Sequence, residues 1–267
     1  MTTRGRRRFA LFLACASLVL FVPSRGIAEA AKRIPGNAPL SVSQVVERLI
    51  EKTAERSDAL ERYQGKRSYV LDYVGFPANL HAEMTVDMSY QAPDTKEFTV
   101  VSESGSKWII THIFKRLLDS EREALEQENR QRTSLNYRNY DFTLVSDQPQ
   151  PGGCRYVLSL EPKIPNKFLF RGRIWVDDTD FAVCRIEAEP AKNPSFWIKK
   201  TDIHHAYSKV GDFWLPTDNK SVSSVRMGGL ATLTIKYADY KIIQAHALGQ
   251  PAPTTVSLTS EVPKPTN

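Results

Sequence analysis

The chain has 267 residues, 41% of them hydrophobic and 25% charged, with 36 Lys and Arg against 30 Asp and Glu. This composition excludes a disordered, collagen-like or coiled-coil chain, and the length allows one sizeable core. Five arginines and one glutamate fall before residue 31, so the remainder carries 31 cations against 29 anions and its charge does not point to a nucleic-acid partner.

The first thirty residues read as an export signal. Arg4, Arg6, Arg7 and Arg8 form a basic segment, residues 9–22 an apolar one, and Ala28-Glu29-Ala30 places small residues where a signal peptidase reads, which predicts cleavage after Ala30 and a periplasmic location. Cys15 sits inside the apolar run and reads as part of it, so no lipid anchor is expected. Cys154 and Cys184 would then lie in an oxidising compartment. Strand parity, with a two-residue turn at Asp178-Thr179 pairing Val176 with Phe181, puts them on opposite faces and argues against a disulfide, though one bulge would reverse this.

Residues 31–39 read as a leader. Ser41 and Gln44 then form a capping box, and Val42, Val45, Val46, Leu49, Ile50, Thr53 and Leu60 recur at helical spacing until Gly65, which predicts an amphipathic helix. Extended segments follow at 67–76, 80–90 and 97–102, separated by proline turns. A second helical region is predicted over 112–130, with a kink where Ser120 and Glu123 form a second capping pattern. From residue 140 the chain reads as strands at 140–147, 154–161, 168–177, 181–188, 196–208, 213–225 and 230–243. Alternation is clearest at Phe168, Phe170, Gly172, Ile174 and Val176. The tail from residue 245 reads as disordered. The expected class is α+β: about ten antiparallel strands and two helices in one domain over residues 40–244.

No pattern names a catalytic chemistry. A Gly-x-Ser-x-Gly elbow, a His-Glu-x-x-His pair, a P-loop and a Rossmann glycine pattern are all missing from the sequence. His204 and His205 are adjacent on a strand and point to opposite faces, which suits a surface residue beside a core-edge one better than a metal site. Asp177, Asp178 and Asp180 read as turn chemistry before calcium ligands. Glu121, Glu123, Glu126 and Glu128 read as a solvated helix face, and Ser104-Gly105-Ser106 as a turn between strands. The four tryptophans, Trp108, Trp175, Trp197 and Trp214, read either as core and sheet-surface packing or as contacts in a lipid-binding cavity. No enzyme activity, cofactor or metal is expected.

An ordered set of short motifs carries a family resemblance: Arg173-Ile174-Trp175-Val176-Asp177, Arg185-Ile186-Glu187, Asp212-Phe213-Trp214-Leu215-Pro216 and Asn193-Pro194-Ser195-Phe196-Trp197. With the export signal and the order of helices and strands, residues 40–244 resemble LolA/LolB-like proteins, the bacterial outer-membrane lipoprotein-sorting proteins, and their RseB-like relatives. The resemblance implies an incomplete, strongly curved antiparallel β-barrel with two helices across its concave face. The space between would take lipoprotein acyl chains or another lipid. By parity, Tyr156, Leu158, Leu160, Phe170, Ile174 and Val176 would face it from the sheet, and Leu49, Ile50, Leu117 and Leu118 from the helices. Lacking an anchor, the chain would be a soluble monomeric carrier, loaded or unloaded by a membrane-anchored acceptor or an inner-membrane complex. The alternative is an RseB-like sensor that detects lipoproteins and binds a membrane protein.

Overall fold

The computed structural model describes residues 39–150, 153–193, 195–226 and 228–248, without the side chains of residues 127 and 128. The export segment, the cleavage site after Ala30, the leader through residue 38 and the tail beyond residue 248 lie outside the described residues.

Helix α1 (Val42–Ala59) begins as its sequence dictates: the Ser41 hydroxyl accepts from the Gln44 amide, and the Gln44 side chain accepts from the Ser41 amide at 2.9 Å. It does not run to Gly65. The backbone turns extended at Leu60, and strand β1 (Leu60–Gly75) starts there. Leu60 and Tyr63 join a buried cluster with Met88, Tyr90, Phe213 and Leu215, and that packing overrides the helical spacing that placed Leu60 in the helix. Gly65 is a strand residue; a Cβ there would meet the Tyr240 ring at 3.0 Å, so its role is room for an aromatic neighbour.

The remaining strands are β2 (Leu80–Gln91), β3 (Thr95–Gly105), β4 (Tyr140–Ser146), β5 (Cys154–Pro162), β6 (Phe170–Asp177), β7 (Val183–Pro190), β8 (Ile198–Val210), β9 (Phe213–Val225) and β10 (Gly229–Ala245). They form one ten-stranded antiparallel sheet in the order β3-β2-β1-β10-β9-β8-β7-β6-β5-β4. The sheet is curved and unclosed, with β3 and β4 as its edges, the incomplete barrel that the resemblance implied. Because β3 and β4 are consecutive in the chain but lie at opposite edges, the connection between them has to cross the sheet. It does so as helix α2 (Lys107–Ile109), a π-helical turn (Ile110–Phe114), helix α3 (Lys115–Leu125) and helix α4 (Gln127–Thr133). The expected kink at Ser120 is absent: Ser120 is buried, and the break comes at Glu126, whose ψ of 140° leaves the helical region.

Two apolar clusters divide the covered face. Val45, Val46 and Leu49 of α1 pack on Tyr156, Leu158, Leu160, Ile174, Val176 and Ile186 of β5, β6 and β7. Ile109, Ile113, Phe114, Leu117 and Leu118 pack on Tyr69, Leu71, Met84, Val86, Leu233 and Ile235 of β1, β2 and β10. Each helix thus seals one half of the sheet by burying its apolar stripe.

On the opposite face Cys154 and Cys184 are joined by a disulfide, Cα to Cα 6.5 Å, beside Val157, Trp175 and Trp214. This corrects the parity reading. Register shifts between Cys154 and Tyr156 and between Trp175 and Val176 each add a residue, and the connection at 178–182 pairs Val176 with Val183, not Phe181. Asp177 shapes that connection: its Oδ1 accepts from the Thr179 amide at 2.9 Å and the Asp180 amide at 2.6 Å. Arg56 of α1 fixes it to the helix by donating to the Asp180 and Phe181 carbonyls at 2.6 and 3.2 Å. Gly172 of β6 is required by close approach: its φ is 148°, and a Cβ would stand 2.3 Å from the Glu187 carbonyl oxygen.

Candidate ligand-binding cavity

A cavity of about 380 Å³ lies between the sheet and the first turns of the crossing helix. Register builds its floor: Leu71 opposes Leu233, Tyr73 opposes Ala231, and Ala231 opposes Ser223, so inward positions of β1, β10 and β9 line up. Ile109 and Ile113, both buried, form the roof. The mouth opens at the end of β1, where Phe76, Pro77 and Leu80 meet Trp108, Trp197 and Val225. Phe76 is 68% exposed and Trp108 46%, so aromatic surface continues from the cavity into solvent.

The two hydroxyls in the lining are already bonded. The Ser223 hydroxyl is 2.8 Å from the Thr201 hydroxyl, and the Tyr73 hydroxyl donates to the Phe76 carbonyl at 2.7 Å. The surface offered to a ligand is therefore hydrocarbon and aromatic, and recognition there is by burial.

The ten residues assigned to the cavity by parity fall elsewhere. Leu49, Ile50, Tyr156, Leu158, Leu160, Phe170, Ile174 and Val176 come together in the cluster beneath α1, and Leu117 and Leu118 in the cluster beneath α3. None of the ten is among the side chains lining the 380 Å³ cavity. Leu158, Ile174 and Val176 are 0% exposed and packed against α1. Of the four tryptophans, Trp108 and Trp197 line the cavity with Phe76, while Trp175 and Trp214 pack beside the disulfide on the other face.

A buried ion cluster holds the roof to the floor. Glu121 of α3 accepts from Arg67 of β1 at 2.5 and 3.0 Å and from Lys96 of β3 at 2.6 Å. All three residues are at most 5% exposed, so the expectation of a solvated face fails for Glu121. The helix turns this position inward because two cations wait there. Burial alone would raise the Glu121 pKa; Arg67 and Lys96 outweigh it and hold the carboxyl at about 2. The Arg67 guanidinium also lies over the Phe98 and Tyr237 rings at 5.2 and 5.0 Å.

His204 is exposed and His205 buried, on opposite faces as expected. Burial, with Arg67 nearby, lowers the His205 pKa to about 4, so the ring is neutral; Tyr207 bonds its Nδ1 at 3.3 Å. Asp180 accepts from the Trp214 indole at 2.8 Å and pairs with Lys209 at 2.7 Å. Ser104 and Gly105 end β3 and Ser106 caps α2, in place of the expected turn between strands. Among the described residues no three His, Cys, Asp or Glu side chains are grouped to hold a metal, and no helix is long and apolar enough to cross a membrane.

No protein-family model and no curated protein matches the chain. Solved structures do. Among them are a DUF1329 family protein, a LolA superfamily protein and MucB. The DUF1329 family protein, from Desulfovibrio piger, has 12% identity over 78% of this chain and 94% of its own, TM-score 0.40. The LolA superfamily protein, from Nitrosomonas europaea, has 10% identity over 78% of this chain and 96% of its own, TM-score 0.33. MucB in its Pseudomonas aeruginosa complex with MucA has 10% identity over 77% and 99%, TM-score 0.25.

Proposed function

We propose that the chain is a periplasmic carrier, without catalytic activity, that holds the acyl chain of a lipoprotein or another lipid in the cavity beneath the crossing helix. The observation that carries this reading is the lining: hydrocarbon and aromatic side chains around about 380 Å³, with its two hydroxyls internally bonded. That volume lies in the range of ligand pockets, about 300–1,000 Å³. Burial of about fifteen methylenes at about 0.8 kcal/mol each offers about 12 kcal/mol before ordering is subtracted, enough to extract a chain from water.

The test is displacement of a fluorescent fatty-acid analogue, with mass spectrometry of lipid extracted after detergent-free purification. Ala231→Trp places an indole on the cavity floor and is expected to weaken probe binding by about tenfold or more, one indole filling much of a pocket this small. No co-purified lipid together with no probe binding would remove the reading. Capture of a membrane protein's periplasmic segment, with no lipid transfer between vesicles, would favour the sensor role in its place.

A further inference from the structure

The antiparallel order sorts the connections onto two ends of the sheet, and the ends differ in charge. At the end where the cavity opens lie the connections 76–79, 134–139, 163–169, 191–197 and 226–228, together with Ser106. Their charged residues are Arg138, Lys163, Lys167, Lys192 and Arg226, with no Asp or Glu. At the other end lie 92–94, 147–153, 178–182 and 211–212, whose charged residues are Asp94, Asp147, Asp178, Asp180 and Asp212, with no Lys or Arg. The connections of a chain close to neutral after residue 30 are thus sorted by charge along its strands, and at the acidic end Asp94, Asp178 and Asp180 pair with Arg130, Arg155 and Lys209.

Hydrophobic exposure follows the same axis. Among the described residues, the three most exposed large hydrophobic ones, Ile164 at 79%, Phe196 at 73% and Phe76 at 68%, each stand in a different connection of the basic end. Arg226 lies over the Phe196 ring at 4.8 Å and donates to its carbonyl, so cation and aromatic are held side by side. Arg132, Arg138, Lys167 and Lys192 surround a recess of about 650 Å³ whose lining has no carboxylate. Lys163 and Lys167 pair with Asp141 and Glu123. Arg138, Lys192 and Arg226 have no carboxylate partner among the described residues. Two further strand acids near this end, Glu161 and Glu189, face Arg171 at 3.1 and 3.9 Å.

We infer that this end docks on an anionic lipid bilayer, with Ile164, Phe196 and Phe76 entering the interface, the cations meeting lipid phosphates, and the acidic end held away. Apolar tips interleaved with Lys and Arg suit the headgroup boundary, where hydrocarbon is buried shallowly and each cation gains from the negative surface potential. The inference rests on the carrier reading only for its purpose: docking at this end presses the cavity mouth against the lipid that would fill it.

The test is co-flotation of the full chain with vesicles of phosphatidylcholine alone, or with phosphatidylglycerol at about 3:1, at low and high salt. Binding is expected on the mixed vesicles, weakened by salt and low on the neutral ones. Ile164→Ser with Phe196→Ser, at exposed sites outside the cavity lining, is expected to lower binding about tenfold or more, by losing two apolar anchors. Lys192→Gln and Arg226→Gln should cost about fivefold for each cation removed. Asp147→Asn with Asp212→Asn, at the far end, should not weaken it. Equal binding to both vesicles, no binding to either, or Ile164 and Phe196 variants that float like the parent would each overturn the inference. Probe binding measured without vesicles separates the two readings: a chain that takes the fatty-acid analogue but ignores vesicles keeps the carrier role and loses the docking face, and the converse result loses the carrier role alone.

Discussion

Replacing Glu121 by glutamine removes one negative charge from between two buried cations. The shape is nearly kept, so the change isolates electrostatics. With its carboxyl pKa held from an ordinary 4.5 down to about 2, Glu121 favours the folded state by about 3 kcal/mol at neutral pH, at about 1.4 kcal/mol per unit. Breaking a buried pair from one side costs about 3–5 kcal/mol, because Arg67 and Lys96 stay behind uncompensated, and the two figures agree. Urea unfolding followed by far-ultraviolet circular dichroism reads this as a lower midpoint at unchanged slope. The pH profile supplies the sharper test. The stabilisation is fully present above about pH 4.5 and is lost as pH falls toward 2, so the parent should weaken over that window and Glu121→Gln should lack that increment. Replacing the trio together by Arg67→Met, Lys96→Met and Glu121→Leu should recover most of the loss, since a packed apolar trio has no desolvation to offset. A Glu121→Gln loss below about 1 kcal/mol, or parallel profiles for parent and variant between pH 4.5 and 2, would refute the reasoning.

His205 should dominate a separate acid window. Its pKa is lowered from 6.5 to about 4, so stability is complete above pH 6.5 and declines by about 3 kcal/mol as pH falls toward 4; urea midpoints at pH 7, 5.5 and 4 should show that slope in the parent and not in His205→Phe. Cys154→Ala opens a loop spanning a sequence separation of 30 and should lower unfolding stability by about 3–4 kcal/mol, read by urea titration, with the fatty-acid probe still bound because the disulfide lies on the face away from the cavity. Probe affinity that falls with Cys154→Ala would contradict that placement.

Much of the fold was legible because burial on one face writes a period of two into the chain. Segment 213–225 coincides with β9, and the ten expected strands are the ten observed. The failures sit where a local period is correct but a distant partner decides. Leu60 fits the helical stripe of α1, yet Met88, Tyr90, Phe213 and Leu215 claim it for β1. Parity separated Cys154 from Cys184 because two bulges leave no mark in the residue pattern. Glu121 looks like its solvated neighbours until Arg67 and Lys96, 54 and 25 residues away, are brought beneath it. The cavity was illegible for a related reason. Parity grouped Tyr156, Leu158, Leu160, Ile174 and Val176 on one face, and the structure packs them together. Whether such a face is filled or hollow depends on how far the covering helix stands off, and no strand records that distance.

The π-helical turn at Ile110–Phe114 gives that distance a second determinant, residue count. Its bonds span five residues in place of four, so the chain carries one residue more than a continuous α-helix would need there. Each residue turns a helix by about 100°, and the extra one therefore sets the rotation of Trp108 and Ile109 relative to Leu117 and Leu118 farther along. Thr111 lies within the turn and is exposed. A chain lacking Thr111 would keep every cavity-lining side chain in its sequence but turn Trp108 and Ile109 by about 100° relative to Leu117 and Leu118, so residue count at this one place sets which side chains roof the pocket.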